Sequence, residues 1–152
     1  MMTSTINLMS DVYAISAITL IIKDMKRSCN FYSKIPGFRL IYGGSLDDAF
    51  TTFQIGKRKS PMYLNLELET SESSTRLSNY KPRFFGRIIF YTTDVDKLYS
   101  YFISNSSLSG LMLLVHEPVD APWGERYFHV REPDGYELSF AHPLKRKSVQ
   151  QN

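Results

Sequence analysis

Residues 123–140 read WGERYFHVREPDGYELSF and have the pattern of two strands joined by a tight turn. Residues 126–131 alternate aromatic or apolar side chains with polar ones, as does a strand with one buried face. Residues 132–135 are typical of a turn, because proline fixes its own φ, aspartate bonds nearby backbone and glycine accepts a positive φ. In the second strand, Leu138 and Phe140 face one side, and Glu137 and Ser139 face the other. A carboxylate and a hydroxyl on one strand face indicate a polar role for that face.

The rest of the chain divides into two similar halves, each with one helix and several strands. Asp24 and Asp94 are good N-caps for helices that run to Lys34 and to about Ser104. The predicted strands of the first half are 15–23, 38–42, 50–55 and 62–68. Those of the second half are 87–93, 111–116, 126–131 and 136–141. Strand 15–23 is rich in Ile, Leu and Thr, which predicts burial on both faces.

The two halves also align with each other in sequence. Asp24 and Asp94 lie 70 residues apart, and at the same offset Ile18 matches Ile88. Two tandem βαβββ units predict an α+β fold, and each unit must cover an apolar sheet face with the other unit or with another chain. The residues predicted to pack under the helices are Ile18, Leu20, Ile22, Ile88, Phe90, Leu138 and Phe140.

The end of the chain resembles a known family. Residues 123–143 fit the pattern WG-x-R-x-F-x-V-x-x-PDG-x-x-L-x-F-x-x-P, which is similar to the C-terminal hairpin of the vicinal oxygen chelate superfamily. That superfamily includes glyoxalase I, extradiol dioxygenases, fosfomycin-resistance enzymes and bleomycin-binding proteins. The resemblance covers about residues 15–143 and implies that the two units form a cup-shaped, half-open barrel. It also implies a homodimer.

The resemblance identifies the positions where a metal would be held. Metal-binding members take ligands from the first and last strand of each unit, commonly His or Gln on the first strand and Glu on the last. The matching positions here hold Ala17, Arg87, Ser139 and Asn65, with Glu67 replacing Asn65 if the register slips. Alanine and arginine offer no lone pair, and serine is a poor ligand for divalent ions. A cup without a metal or other cofactor is therefore expected.

An arginine at a ligand position changes what the cup can bind. An inward Arg87 can hold a carboxylate, a phosphate or another oxyanion through two hydrogen bonds. Alternatively, Arg87 pairs with Glu137 and the two side chains fill the cup. Both interpretations are compatible if an incoming anion competes with Glu137 for Arg87. Strand alternation adds an apolar wall with a few hydroxyls, as in small-molecule pockets. The residues of this wall are Thr19, Ile21, Ile89, Tyr91 and Ala141.

Two further residues are candidates for ligand contact. Trp123 lies in the loop before the terminal hairpin, where it either stacks on a flat ligand or anchors the loop. His129 lies in a strand and is either a hydrogen-bonded structural histidine or a base. The three histidines of the chain do not have metal-ligand spacing.

Composition limits the classes of function. The chain has 152 residues, 43% hydrophobic and 22% charged, which suit one globular domain. The net charge is +3 and no basic patch is interleaved with aromatic residues, so no nucleic-acid partner is expected. The sequence contains no run of about 18 apolar residues, so no membrane span is predicted. The N-terminus does not resemble a signal peptide. The single cysteine, Cys29, excludes an internal disulfide, predicts a small buried side chain and suits a reducing cytoplasm.

The predicted organisation is a single domain with short extensions. The domain spans residues 13–143, with units at about 13–70 and 83–143. A Ser- and Thr-rich linker, 71–82, connects them. Residues 1–12 are expected to be a flexible N-terminus and residues 144–152 a basic flexible tail.

Three functions remain open. The first is a metal-independent protein of the glyoxalase-like or bleomycin-resistance type that binds a small, anionic, partly aromatic molecule. The expected ligand contacts are Arg87, Tyr91, Glu137, Ser139, Trp123, Asn65 and His129. The second is an enzyme with isomerase or lyase chemistry, with Glu137 as the general base or with a metal on Glu67, Glu137 and His129. The third is a structural role in which the protein's own side chains fill the cup.

Overall fold

The computed structural model describes residues 10–56, 59–71 and 85–145 of the chain. The elements of the first half are β1 (Ala17–Ile22), α1 (Met25–Tyr32), β2 (Phe38–Tyr42), β3 (Phe50–Ile55) and β4 (Met62–Leu68). Those of the second half are β5 (Arg87–Tyr91), α2 (Val95–Ser104), α3 (Ser106–Ser109), β6 (Leu113–Asp120), β7 (Glu125–Arg131) and β8 (Glu137–Pro143). The two tandem βαβββ units of an α+β fold are thereby confirmed.

A few predicted boundaries differ from the structure. The strand predicted at 111–116 begins at Leu113 and continues to Asp120, because it pairs with β7 across two register shifts that alternation does not reveal. The short helix α3 was not predicted; Asn105 caps it by accepting from the backbone N–H of Leu108 at 3.2 Å. Most of the predicted linker, the first nine residues and the tail beyond Lys145 lie outside the described residues. The predicted flexibility and domain boundaries therefore stay predictions.

Each half forms one mixed sheet of four strands. The strand orders are β1-β4-β3-β2 and β5-β8-β7-β6. The first and last strands of each unit are parallel, and the other neighbours are antiparallel. Thr19 lies opposite Asn65 in the first sheet, and Ile89 lies opposite Ser139 in the second. The register therefore makes Asn65, rather than Glu67, the counterpart of Ser139.

Local chemistry begins the helices where the sequence predicts. Asp24 accepts a hydrogen bond from the backbone N–H of Arg27 at 2.9 Å, and Asp94 accepts one from that of Lys97 at 3.0 Å. Each bond satisfies a backbone donor that the first turn of a helix leaves open. The turn between β7 and β8 uses Gly135 at a φ of 92°, a conformation that favours glycine.

One hydrophobic core joins the two units on the helix side of both sheets. It contains residues of β1, β3, β4 and α1 together with residues of β5, β7, β8 and α2. Phe38 of the first unit and Phe90 of the second pack edge to face, with ring centroids 5.2 Å apart. The predicted burial under the helices is borne out, and Cys29 is buried. The predicted burial of β1 on both faces is wrong: Thr19 is exposed, because its side of the sheet points away from this shared core.

Polar contacts, several of them partly buried, also connect the units beside the core. The Asp134 carboxylate, in the turn between β7 and β8, accepts hydrogen bonds from three groups of the first unit. They are the backbone N–H of Lys23 at 3.0 Å, the guanidinium of Arg27 at 3.0 Å and the hydroxyl of Ser28 at 3.1 Å. Because all three donors lie at the end of β1 or in α1, the turn is fixed to the first unit.

Glu132 makes a second connection next to the first. Its carboxylate is buried and accepts hydrogen bonds from the Tyr32 hydroxyl at 3.0 Å and from the backbone N–H groups of Asp134 and Tyr136. The Tyr136 hydroxyl in turn donates to the backbone carbonyl of Ile21 at 2.8 Å. Burial raises the pKa of Glu132 to about 7, and the nearby Asp134 carboxylate adds to the rise.

None of the described helices is long and apolar enough to cross a membrane.

Candidate functional site

The side of the second sheet that points away from the core carries most of the predicted site. We call it the second cup face. Strand alternation and register place residues of all four strands on it. They are Arg87, Ile89 and Tyr91 of β5, Glu137, Ser139 and Ala141 of β8, Glu125, Tyr127, His129 and Arg131 of β7, and Leu113, His116 and Val119 of β6.

An arginine–glutamate pair lies on the second cup face. Arg87 Nε is 3.1 Å from Glu137 Oε1, as the sequence suggested for a partly filled cup. The Arg87 side chain is 48% exposed and that of Glu137 is 15% exposed. Arg131 lies opposite Glu137 on the other neighbouring strand. The carboxylate therefore sits between two arginine-bearing strands, and Arg87 is oriented while a large part of it still faces solvent.

His129 lies beside this pair and is almost completely buried. Its Nε2 is 3.9 Å from Glu137 Oε1, and its Nδ1 is buried with no hydrogen-bond partner in the part of the chain that the structure describes. Burial lowers the pKa of His129, and the charges of Arg87 and His116 lower it further. His129 is therefore a neutral imidazole near pH 7. The two roles predicted for His129, a structural histidine or a base, stay predictions.

Aromatic side chains continue from His129 toward the loop before β7. We call Trp123, Tyr127, His129 and His116 the ring ladder. Trp123 stacks on Tyr127 at a centroid distance of 5.7 Å and an interplanar angle of 24°. Tyr127 lies 4.9 Å from His129, which lies 4.6 Å from His116. The ladder provides a row of ring surfaces next to the Arg87 guanidinium.

Glu125 holds the outer end of the ring ladder in place. Its carboxylate accepts a hydrogen bond from the Trp123 indole at 3.3 Å and another from the Tyr91 hydroxyl. The bond to Glu125 raises the pKa of Tyr91 above its ordinary value. Trp123 is nevertheless 69% exposed, because only one of its ring faces packs on Tyr127. Both predicted roles of Trp123 are thus sterically compatible: it is anchored in its loop and leaves one face open.

The remaining predicted site residues are placed differently. Ser139 is buried between its neighbours on the second cup face. Asn65 lies on the corresponding side of the first sheet, which we call the first cup face. There its side-chain carbonyl accepts from Thr52 at 2.9 Å and its amide donates to Thr19 at 3.2 Å. Asn65 lies in the first sheet and the Arg87 pair in the second, so the predicted site residues are divided between the two sheets.

The positions that correspond to metal ligands do not fit a metal. Arg87 is a fixed cation, Ala17 carries no donor atom, and the Asn65 amide is already engaged on both sides. Among residues 10–56, 59–71 and 85–145, no three His, Cys, Asp or Glu side chains are grouped closely enough to hold an ion. The alternative set of Glu67, Glu137 and His129 is therefore not assembled within one chain.

Family comparison agrees with this architecture. Residues 14–140 match the model of the Glyoxalase/Bleomycin resistance protein/Dioxygenase superfamily. The chain belongs to this superfamily. The fold predicted from the sequence resemblance is thereby confirmed, although membership names neither a ligand nor a reaction.

Several solved structures share the fold at low sequence identity. A glyoxalase/bleomycin resistance protein/dioxygenase family enzyme from Burkholderia phytofirmans is 12% identical, with a TM-score of 0.61 over 85% of this chain and 98% of that one. A superfamily member from Sphaerobacter thermophilus is 21% identical, with a TM-score of 0.56 over 86% and 97%. TioX from Micromonospora is 18% identical, with a TM-score of 0.58 over 87% and 100%. No curated protein matches the chain.

Sequence reasoning missed several residues of the second cup face. Glu125, Tyr127 and Arg131 share the strand parity of His129, so the alternation of residues 125–131 would have identified them. His116 could not be found in this way. A register shift between Leu114 and His116 places His116 on the second cup face, directly across from His129. No simple sequence signal marks that shift.

Proposed function

We propose that the protein is a homodimeric, metal-independent binding protein for a small, anionic, partly aromatic molecule. The observation that carries this proposal is the half-exposed Arg87 guanidinium, oriented by Glu137 on a face that also carries apolar and aromatic side chains. A guanidinium with one edge already hydrogen-bonded still offers donors to an incoming carboxylate, phosphate or phenolate. A cytoplasmic location remains part of the proposal and rests on the single, buried cysteine.

The ring ladder supports the aromatic part of the ligand. Trp123 presents one open ring face and stacks on Tyr127, which contacts the buried His129 beside the Arg87–Glu137 pair. Aromatic pairs in stacked or edge-to-face geometry contribute about 0.5–1.5 kcal/mol beyond the burial of their area. A flat ligand that lies along the ladder can therefore place an anionic group at Arg87 and a ring near Trp123.

Glu137 makes the site selective as well as ordered. An anion that approaches Arg87 must compete with a carboxylate that already occupies the Nε side of the guanidinium. Arg131, across from Glu137 on β7, adds a second positive charge to the same face. Weak or diffuse anions gain little from such a site, whereas a carboxylate with an attached ring gains both charge pairing and stacking.

Replacing Arg87 with alanine is expected to weaken ligand binding at least tenfold, because the main charge partner of the ligand is lost. A thermal-shift screen of aromatic carboxylates and aryl phosphates, starting with benzoate and phenyl phosphate, identifies the ligand. Isothermal titration calorimetry then compares the wild type with Arg87→Ala. A tenfold change corresponds to about 1.4 kcal/mol, within the range for a charged hydrogen bond.

Arg126→Ala is the matched control for that comparison. Arg126 also forms ion pairs, with Asp96 and Asp120, but it lies on the opposite side of β7. Its removal should leave ligand affinity unchanged within a factor of two. Equal affinities for the wild type and Arg87→Ala would reject the proposed role of Arg87.

A catalytic role for Glu137 is the second candidate, favoured by the neutral His129 imidazole 3.9 Å from the Glu137 carboxylate. Either group could accept a proton from a bound compound, but at 3.9 Å they do not form a direct hydrogen bond with each other. In that case Glu137→Gln would abolish turnover of a bound compound and leave its binding measurable. Turnover that survives in Glu137→Gln would rule out this residue as the base.

A further inference from the structure

We infer that the turn of residues 132–136 and the helix α1 form a pH-dependent clasp between the two units, which is closed while Glu132 carries a proton and opens when Glu132 loses it. The clasp goes beyond the proposed function, because it needs no ligand. It also uses a carboxyl group that lies outside the second cup face.

Glu132 is the titratable group at the centre of the clasp. It is 3% exposed, and its carboxylate accepts from the Tyr32 hydroxyl of α1 and from two backbone N–H groups of its own turn. The titratable side chains that face it are Tyr32 from α1 and Asp134 and Tyr136 from the turn. Arg27 of α1 joins this group through its ion pair with Asp134. The pKa of Glu132, about 7, places the loss of its proton near neutral pH.

Loss of that proton leaves two carboxylates side by side in the clasp. Asp134 has a cation as a partner, because the Arg27 guanidinium lies 3.0 Å from its carboxylate. The donors to Glu132, a tyrosine hydroxyl and two backbone amides, are neutral. Neutral donors offset less of the cost of a buried charge than a cation does. The closed clasp therefore becomes costly once Glu132 is ionised.

Opening the clasp removes this cost. In the open clasp the Glu132 carboxylate meets water, and its pKa returns toward the ordinary value of 4.5. The Nε atom of Arg27, which is buried without a hydrogen-bond partner among the described residues, also gains access to water. From about pH 5.5 to about pH 8.5 the equilibrium constant for opening should rise by up to about thirtyfold.

The turn can open without unfolding of the sheets. It keeps its own shape through two backbone bonds, from Glu132 to the Tyr136 carbonyl at 2.9 Å and from Gly135 to the Glu132 carbonyl at 2.8 Å. Its described hydrogen bonds to the first unit come from two carboxylates and one tyrosine hydroxyl. Arg131 and Glu137 lie opposite each other at the strand ends that the turn joins, so opening acts on one end of the second cup face.

Exchange of the Lys23 amide proton, followed by NMR, tests the clasp. The backbone N–H of Lys23 belongs to the first unit and donates to Asp134 at 3.0 Å, so its protection reports on the closed clasp. After correction for intrinsic exchange rates, this protection should fall by up to about thirtyfold from about pH 5.5 to about pH 8.5. In Glu132→Gln, whose amide does not ionise, it should stay constant within a factor of about three.

Two further variants make the test specific. Glu117 also accepts a hydrogen bond from a tyrosine, Tyr99, but it is exposed, so Glu117→Gln should keep the wild-type pH dependence. Tyr32→Phe removes a bond that favours the ionised form of Glu132 and keeps the ring. In this variant the loss of protection should move to higher pH. That shift tests the role of Glu132 even if Glu132→Gln does not fold.

The amide of Leu66 separates opening of the clasp from unfolding of the whole chain. Leu66 is fully buried in β4, between two strands, so its amide exchanges through global unfolding. About 1 M urea should accelerate exchange at Leu66 and leave Lys23 almost unchanged. Three results would each overturn the clasp: equal protection of Lys23 at both pH values, a pH dependence that persists in Glu132→Gln, or a urea response at Lys23 equal to that at Leu66.

Discussion

Replacing Asp134 with alanine should lower the free energy of unfolding by about 3 kcal/mol. The Asp134 side chain is only 4% exposed and accepts hydrogen bonds from Lys23, Arg27 and Ser28 of the other unit. Without the carboxylate, the Ser28 hydroxyl stays buried and the Arg27 guanidinium loses its ion pair. The Nε atom of Arg27 is already buried without a hydrogen-bond partner among the described residues. Leaving polar groups buried and unpaired costs more free energy than the ion pair itself contributes to stability. Chemical denaturation followed by circular dichroism measures the change.

Asp120→Ala is the control for this effect. Asp120 also forms an ion pair with an arginine, Arg126, but its side chain is 60% exposed. Water replaces such a partner easily, so the loss should stay below about 1 kcal/mol. If Asp134→Ala destabilised the protein no more than Asp120→Ala, the contact between the turn and α1 would not hold the two units together.

Glu132→Gln should remove a pH dependence of stability that the wild type shows. The pKa of Glu132 rises from 4.5 to about 7 in the folded protein, chiefly because the carboxyl group is buried. A raised folded pKa means that this group stabilises the fold fully below about pH 4.5, and that the contribution is lost as the pH rises through about 7. At about 1.4 kcal/mol for each pKa unit, the loss is about 3 kcal/mol.

The amide of glutamine makes the comparison specific. It keeps an oxygen that can accept from the backbone N–H groups of Asp134 and Tyr136, but it does not ionise. Unfolding free energies of the wild type and Glu132→Gln, measured from about pH 4 to about pH 8.5, should differ by an amount that changes by about 3 kcal/mol. Titrations of the other groups cancel in this difference. Parallel curves for the two proteins would show that Glu132 ionises in the folded protein as it does in the unfolded chain.

The pattern of residues predicted the fold well because local chemistry and alternation agree along most of the chain. Asp24 and Asp94 cap their helices, and β2, β3 and β4 have the predicted bounds. Strand parity correctly separated the helix-side residues from the cup faces. The burial of β1 was mispredicted because an apolar strand buried on one face and one buried on both faces can have the same composition.

The site was predictable only where a family ligand position or alternation along one strand identifies the residue. Arg87 occupies a family ligand position and Glu137 follows from alternation in the last strand, and the register places the two side by side. The ring ladder was predicted only in part: Trp123 and His129 were identified, whereas His116 depends on the pairing of β6 with β7 across a register shift. The contacts of Glu132 and Asp134 with α1 span about a hundred residues, and no local pattern encodes such a separation.

Metal content tests most directly whether the cup works through Arg87 and without a metal ion. The protein is purified without chelators or a metal-affinity tag and analysed by mass spectrometry, before and after incubation with Zn, Ni, Mn and Fe(II). With Ala17, Arg87, Asn65 and Ser139 at the positions of the family's ligands, we expect far less than one ion per chain in every sample. One tightly held ion per chain would contradict a metal-independent cup and direct attention to ligands contributed by both copies.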